Sequence, residues 1–470
     1  MTDETTSWAV FQNAQGLETR ASIVRLTKHS VIFELYSPMA LVRVSEVLSE
    51  FKIYLHDRPA YYGRAVVSNL VNTGSVLVCE VTLGDFWMES GIGGTSGNAD
   101  DIGKAFVGFF SHWEKYYRIL PEYKITVADL QTFLTELRLW LDQVELGIRS
   151  NPSADRIQLE RDVAKALGRS TTPAITTLFE KFERVAEQVE PNLQAAHRHF
   201  AKRQLHPVLL CAPFLYRTFE KPLGYAGDYE MVNMIVRDPL EGGSLFAKIL
   251  NLWFLEQAPA EAHRNRISYL CEQITNVTVR AMEQGKRARI LSLGCGPAGE
   301  VQKFIREKHF ADCAEFFLMD FNEETLAHTQ GVIEEAKRHN GRNTRVEFIK
   351  KSVNQILKEA GRRIEKPAEE QYDLVYCAGL FDYLSDQLCY RISEILYDWA
   401  APGGMFISTN VDSSNPRRLT MDYIMEWHLI YRNGVELAGL KPIAVKDDYK
   451  VLSDITGVNV YFEARKPKHG

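Results

Sequence analysis

The apolar run at 290–293 ends on a glycine-rich turn, Gly294-Cys295-Gly296-Pro297-Ala298-Gly299, and an amphipathic stretch begins at once. Glycines at this spacing let the chain turn tightly and let a ligand approach the backbone. The same alternation continues downstream. Strand-like runs at 316–319, 346–349, 374–377 and 405–409 are separated by helix-like runs at 300–308, 323–339 and 387–400. Such βαβ alternation predicts an α/β architecture, a mainly parallel sheet with helices on both faces. Ligands bind such sheets at the carboxyl ends of the strands. Asp320 ends the second strand, where a carboxylate can accept from both hydroxyls of a ribose. That reading fits a nicotinamide dinucleotide as well as any other nucleoside ligand.

The chain has 470 residues, more than one core usually organises, so further domains are expected upstream. Hydrophobic residues at 45% and charged residues at 25% place it among globular proteins. A net charge of −6 argues against non-specific binding to nucleic acid or anionic membrane. No apolar run reaches the roughly 20 residues that span a bilayer, so stable membrane insertion is not expected. Residues 1–8 are polar and do not read as a signal peptide. The seven Cys show no metal-ligand spacing, so no metal site is expected, and they suit a reducing, cytoplasmic setting.

Residues 20–83 read as short strands at 21–26, 31–36, 51–55, 61–70 and 75–82, punctuated by Pro38, Asp57-Arg58-Pro59 and Asn72-Thr73-Gly74, a small antiparallel barrel. A loop follows at 89–101, then a helix near 106–119. Helical patterns run from there to about 285. Leu130, Phe133, Leu134, Leu137, Leu141 and Val144 form one amphipathic stripe. It can serve internal core or pair with a copy of itself in a homodimer. Asn151-Pro152-Ser153 breaks that helix, and Ser153 or Asp155 can cap the next. The expected domains are therefore 1–120, 121–284 and 285–470. In the tail, strand-like runs at 442–445 and 458–462 would add an edge hairpin.

The run from Leu291 to Gly299 resembles the first motif of class I S-adenosylmethionine (SAM)-dependent methyltransferases. The run 317–322 resembles the second motif, 372–379 the fourth-strand motif, and 401–406 the turn into the fifth strand. The resemblance implies a Rossmann-like methyltransferase domain, SAM as cofactor, and roles for individual residues. Gly294, Cys295 and Gly296 would pass under the methionine and ribose. Asp320 would hold the ribose, and Phe321 would sit by the adenine with Ser352 and Val353. Cys377, Ala378 and Gly379 would line the donor methyl. The chain departs from the family at Ser292, where many members carry an acid that orients the cofactor's amino-acid end.

Two further segments carry candidate acceptor residues. Lys221 to Glu230 packs two glycines, two tyrosines and an acid into ten residues, more like a shaped loop than a linker. Tyr225 and Tyr229 can frame a methyl group there, and Asp228 can anchor a polar one. After the fifth strand, Tyr423, Trp427 and Tyr431 fall at i, i+4 and i+8, one aromatic face if the segment is helical. Arg417 can pair with a carboxylate, and His428 can act as a base. Tyr383, after the fourth strand, lies near the same mouth, beside Asp382. Each also has a bland reading as a cap, a packed ring or a solvated charge.

Together 222–230, 376–384 and 427–432 resemble a bacterial family similar to 3-hydroxypalmitic acid methyl ester synthases. That resemblance implies O-methylation of the carboxylate of a small hydrophobic or hydroxy fatty acid. A hydroxyl or protein acceptor, or a non-catalytic SAM-binding regulator, are the alternatives. The N-terminal strands resemble a PilZ domain. PilZ domains commonly bind cyclic di-GMP through an Arg-x-x-x-Arg motif, but Arg20 and Arg25 are five apart and 27–32 lacks the second motif. A degenerate barrel that does not bind cyclic di-GMP is expected.

Overall fold

A computed structural model describes residues 7–13, 16, 18–35, 42–55, 58–72, 76–84, 87, 110, 114, 117–150, 155–360 and 371–468. The expected loop at 89–101, the break at 151–153 and nearly all of the helix expected near 106–119 lie outside them. The chain divides into two compact units. The first comprises 1–226, 238–256 and 416–428; the second comprises 227–237, 257–415 and 429–470.

The first unit opens with a closed antiparallel barrel. Its strands are β1 (Trp8–Gln12), β2 (Glu18–Leu26), β3 (Ser30–Leu35), β4 (Val47–Leu55), β5 (Arg58–Asn72) and β6 (Leu77–Leu83), in the order β1-β2-β3-β6-β5-β4. Alternate residues point inward, as the two-residue period of a strand requires. Ala9, Phe11, Val31, Phe33, Phe51 and Val81 fill the interior, with Phe11 5.3 Å from Phe33 and 5.7 Å from Phe51. In this barrel Arg20 lies over the Trp8 ring at 4.3 Å.

Helices complete this unit: α1 (Pro121–Arg149), α2 (Arg156–Glu187), α3 (Gln194–Leu209), α4 (Pro213–Glu220), α6 (Leu245–Leu255) and the short α12 (Arg418–Tyr423). Asp155 caps α2 by accepting from the Gln158 N–H. Gly168 lets α2 approach α6, since a Cβ there would come within 2.6 Å of Leu252 Cδ2. Leu130, Leu134 and Leu141 of the predicted stripe are fully buried.

The second unit holds α5 (Tyr229–Val236) and α7 (Ala258–Glu283). Then come β7 (Ala288–Leu293), α8 (Gly299–Glu307), β8 (Ala314–Asp320), α9 (Glu323–Asn340), β9 (Arg345–Lys350) and α10 (Val353–Ala360). The chain continues through β10 (Tyr372–Cys377), α11 (Asp386–Trp399), β11 (Ala400–Val411), α13 (Gly434–Gly439), β12 (Tyr449–Ser453) and β13 (Asn459–Arg465). The seven strands lie in the order β12-β13-β11-β10-β7-β8-β9. β7 to β11 are parallel, and β13 runs antiparallel to both β11 and β12.

The parallel strands are apolar on both faces because helices cover both. Ile290, Phe316, Leu374 and Ile407 pack with Ile274 of α7, Phe304 of α8 and Ile333 of α9. Their neighbours Leu291, Phe317, Val375 and Phe406 face the opposite way, toward Ile356, Ile392 and Leu437.

Two sequence expectations are corrected. The tail hairpin is β12 with β13, not 442–445 with 458–462; Val445 is buried outside any strand. The aromatic helix stops at Tyr423, so Trp427 and Tyr431 do not continue its face. Glu426 takes a left-handed backbone, φ +50°, which no helix interior allows. Its carboxylate, 4% exposed, is held there by Arg64 and Lys202. The buried Lys221 amine beside this cluster, lowered well below its ordinary range by burial, donates to Met425 O at 3.2 Å. A buried carboxylate between the two cations Arg64 and Lys202 outweighs local helix propensity.

Candidate functional site

The strand order reverses between β7 and β10. From β7 the chain winds outward through β8 to β9, then returns to β10 on the other side. A crevice opens at the carboxyl ends of strands at such a switch point. The turn 294–299 forms its floor. Gly294 (φ +68°) and Gly296 (φ +50°) take left-handed conformations, accessible to glycine at little cost. A Cβ on Gly296 would meet nothing within 4 Å, so that backbone borders open space. The Gly294 and Cys295 N–H groups donate to Met319 O at 2.8 and 3.1 Å, fastening the turn to the end of β8.

Asp320 completes this corner. It is buried (7% exposed). Its Oδ2 accepts from the Gly296 N–H at 3.2 Å and its Oδ1 from the Asn322 N–H at 3.0 Å. Thr329 of α9 donates to Gly296 O at 2.7 Å, tying the same glycine from below. A carboxylate is thereby held across the turn by two backbone amides.

The wall after β10 is fixed by Arg432. Its guanidinium donates to Phe381 O, Leu384 O, Asn410 Oδ1 and Asp386 Oδ1 at 2.7–2.8 Å. Gly379 takes φ +88°, and its N–H donates to Thr409 Oγ1 at 3.0 Å. Asp382 is not a helix cap: its Oδ1 accepts from the Val411 N–H at 2.7 Å. Burial pushes its carboxyl up to about 6, against that hydrogen bond and the charges of Arg266 and Arg432. The Cys377 thiol is buried in the core and pushed far above its ordinary range by that burial, so it cannot serve as a nucleophile at neutral pH.

Residues 227–237 bridge the two sides of the crevice. At Gly227 (φ +77°) a Cβ would lie 2.7 Å from the Tyr383 hydroxyl. Two residues on, Tyr229 stacks on His328 of α9 at 4.4 Å and donates to Glu324 Oε1 at 2.9 Å. Burial lowers His328, whose Nε2 accepts from Asn233 at 2.9 Å. Asp228 caps α5 by accepting from the Met231 N–H at 2.8 Å.

Thus Gly294, Cys295, Gly296, Asp320, Phe321, Gly379, Tyr383, Asp228 and Tyr229 share one unit, around one sheet end. Ser352 caps α10, exchanging hydrogen bonds with Gln355. The Val353 side chain is buried in the core, and Ala378 packs beside the opposite core cluster.

Tyr225, Arg417, Tyr423, Trp427 and His428 belong to the other unit. There Arg417 lies over Trp253 at 5.7 Å, with Glu183 and Glu180 close enough to favour its charge. Tyr423 packs between Tyr123 and Phe182. His428 is buried, with Nδ1 on Asp422, whose carboxylate also accepts from Arg198 Nε at 2.9 Å. Burial lowers His428 despite the Asp422 anion, and Arg198 and His428 hold Asp422 well below the usual carboxylate range. Tyr225 and Trp427 are half-buried.

Sequence reasoning passed over Arg266 and Glu300. Arg266, on α7, lays its guanidinium against Gly379, 3.1 Å from where a Cβ would stand. Its Nη2 donates to His263 Nδ1 at 2.9 Å. Burial and the charges of Arg266 and Arg264 hold His263 well below its ordinary range, so its ring is neutral and can accept. Glu300, in the first turn of α8, accepts from the Tyr376 hydroxyl at 2.6 Å. An arginine in a helix and an acid in a first turn read as ordinary surface features, and neither carries a motif.

No protein-family model matches the chain, and no curated protein matches it. Among solved structures it is similar to a possible exported protein from Bordetella parapertussis (14% identity, 64% of this chain, 97% of that one, TM-score 0.39). It is also similar to magnesium protoporphyrin IX methyltransferase (ChlM) from Synechocystis PCC 6803 with bound S-adenosylhomocysteine (10% identity, 45% and 87%, TM-score 0.31). A third is the N-methyltransferase NodS from Bradyrhizobium japonicum WM9 with S-adenosylhomocysteine (14% identity, 53% and 99%, TM-score 0.31). The last two are SAM-dependent methyltransferases.

Proposed function

We propose that this chain is a SAM-dependent methyltransferase and that its cofactor lies over the turn 294–299. The observation that carries the reading is the meeting of the sequence motifs at one sheet end, with the Asp320 carboxylate on the Gly296 amide. Gly296 leaves room for a ligand against the backbone, and Asp320 stands at the carboxyl end of β8, where such folds hold ribose hydroxyls. The strand order separates this reading from a dinucleotide enzyme. The usual dinucleotide order ends in a parallel sixth strand beside the fifth; here the antiparallel β13 takes that place.

SAM supplies a methyl group on a sulfonium, and the carbon–sulfur bond breaks with its electron pair going to sulfur. The leaving group is already good, so the protein's part is to orient the reactants and exclude water. Residues 227–237 and Tyr383 are placed to cover the crevice. In this reading Cys377, Ala378 and Gly379 line the donor end through backbone. Phe321, Ser352 and Val353 lie on the adenine side, and Tyr229, Asp228 and Tyr383 on the acceptor side. Tyr225, Arg417, Tyr423, Trp427 and His428 are the remaining acceptor candidates.

The acceptor is proposed to be the carboxylate of a small hydrophobic or hydroxy fatty acid, which rests on the sequence resemblance. A carboxylate is ionised at neutral pH and needs no general base. A hydroxyl acceptor would need one, and Asp382, pushed up to about 6, favours that second reading. Calorimetric titration with SAM and, separately, with NAD tests the central claim. Binding of SAM alone is expected; binding of NAD alone overturns it. A fall in turnover with unchanged SAM affinity is expected for Tyr229→Phe.

A further inference from the structure

The crevice contains two opposite charges that do not neutralise each other. Glu300 is 7% exposed and accepts from the Tyr376 hydroxyl and its own backbone N–H. No cation is hydrogen-bonded to it among the described residues. Arg266 is close enough for its charge to favour the Glu300 anion. Yet its hydrogen-bond partner among the described residues is the neutral ring of His263. A carboxylate offers about four lone-pair sites and a guanidinium five donors. Among the described residues about half of the carboxylate's sites and four of the guanidinium's five donors are unused. A buried charge such as Glu300 ordinarily pairs with a nearby half-buried one such as Arg266, because a charge taken out of water is costly to leave without a counter-charge. Two that turn to neutral partners instead suit a ligand that carries both signs itself.

We propose that Glu300 and Arg266 hold the α-ammonium and the α-carboxylate of the cofactor's amino-acid end, an inference that rests on the SAM reading above. The geometry explains how the chain dispenses with an acid at Ser292. Ser292 and Tyr376 are register partners on the adjacent strands β7 and β10. The Ser292 hydroxyl donates to the Tyr376 oxygen, and the Tyr376 O–H donates to Glu300. The carboxylate missing from the strand thus arrives from the first turn of α8, and Tyr376 spans the gap. Arg266 is seated by Gly379, whose lack of a Cβ lets the guanidinium lie against the backbone. Burial raises Glu300 above its ordinary range, as expected for a carboxylate awaiting a cation. Glu300 and Arg266 are positioning residues, since neither touches the methyl group in this arrangement.

The test compares S-adenosylhomocysteine with 5′-methylthioadenosine, which keeps the adenosine and the thioether and lacks the amino acid. The unsubstituted chain is expected to bind S-adenosylhomocysteine at least tenfold more tightly. Glu300→Gln keeps the size and the Tyr376 hydrogen bond but removes the charge. It is expected to weaken S-adenosylhomocysteine at least tenfold and to leave methylthioadenosine binding within twofold, which also reports a folded site. Ser292→Asp in the E300Q background is expected to restore most of the loss. Equal loss of both ligands in E300Q, or no loss, overturns the inference. If E300Q does not fold, R266Q carries the same comparison with the same expected and overturning outcomes. Equal affinity of the unsubstituted chain for the two ligands overturns the inference and leaves the SAM reading standing. Binding of neither ligand overturns both.

Discussion

The Asp320 carboxylate accepts the Gly296 N–H at 3.2 Å, joining the end of one strand to the turn that follows its neighbour. One side chain therefore sets the shape of the turn and offers an acceptor to a ligand above it. Asp320→Asn keeps a carbonyl oxygen for Gly296 and removes the charge. Hydrogen bonds to a charged group are worth about 1.5–3 kcal/mol. SAM affinity is expected to fall roughly ten- to a hundredfold in calorimetric titration, with a modest fall in melting temperature, because the new amide NH2 faces the Asn322 N–H in place of an acceptor.

Gly379→Ala meets two obstacles. Its φ of +88° is unfavourable for any residue with a Cβ, and that Cβ would stand 3.1 Å from the Arg266 guanidinium. The backbone conformation should cost about 1–2 kcal/mol of stability, read by urea unfolding. The arginine must also move aside. S-adenosylhomocysteine affinity is expected to fall in this variant.

Glu426 is a stability determinant of the first unit. Glu426→Ala leaves Arg64 and Lys202 crowded together without their carboxylate. Breaking a buried charge cluster by removing one partner costs about 3–5 kcal/mol. Arg64, 29% exposed, keeps some hydration, which favours the lower end. Denaturant unfolding measures the loss. Adding Lys202→Met to E426A should recover part of it.

Asp382 makes stability depend on pH in the direction opposite to most carboxylates. Its folded value is pushed from 3.8 to about 6. The folded chain therefore binds more protons than the unfolded one between these values. The contribution is fully present below about pH 3.8 and is lost as pH rises through about 6, at ~1.4 kcal/mol per unit of displacement. Asp382→Asn should flatten that part of the stability profile, measured by chemical unfolding from pH 4 to 7. An unchanged slope would show that the group is not held this way.

The sheet was readable because its strands are buried on both faces. Runs such as 290–293 and 374–377 are mainly apolar, and glycine or charge stands beside them. The barrel strands followed from alternation, except β1, a five-residue stretch beside a polar start. Asp155 was readable as a cap because its partner is only three residues away. Arg266, Glu300 and Tyr376 were not readable together: the hydrogen bond from Tyr376 to Glu300 spans 76 residues, and only strand pairing brings Ser292 beside Tyr376. The helix expected through Trp427 failed for the same reason. Its period was correct, but the charges that bend the chain at Glu426 come from Arg64 and Lys202, far away in sequence.

The chain passes from one unit to the other five times. Domain excision therefore has an unusual constraint. A fragment beginning at Ala288 would carry every strand of the sheet and all four sequence motifs. It would lack α7, whose Leu270 and Ile274 pack with Ile290 and Leu374, and with it Arg266. It would also lack Gly227 to Arg237. Such a fragment would expose to water the part of the sheet face that α7 covers, and failure of the fragment to fold or stay in solution would say nothing about whether the intact chain binds its ligand.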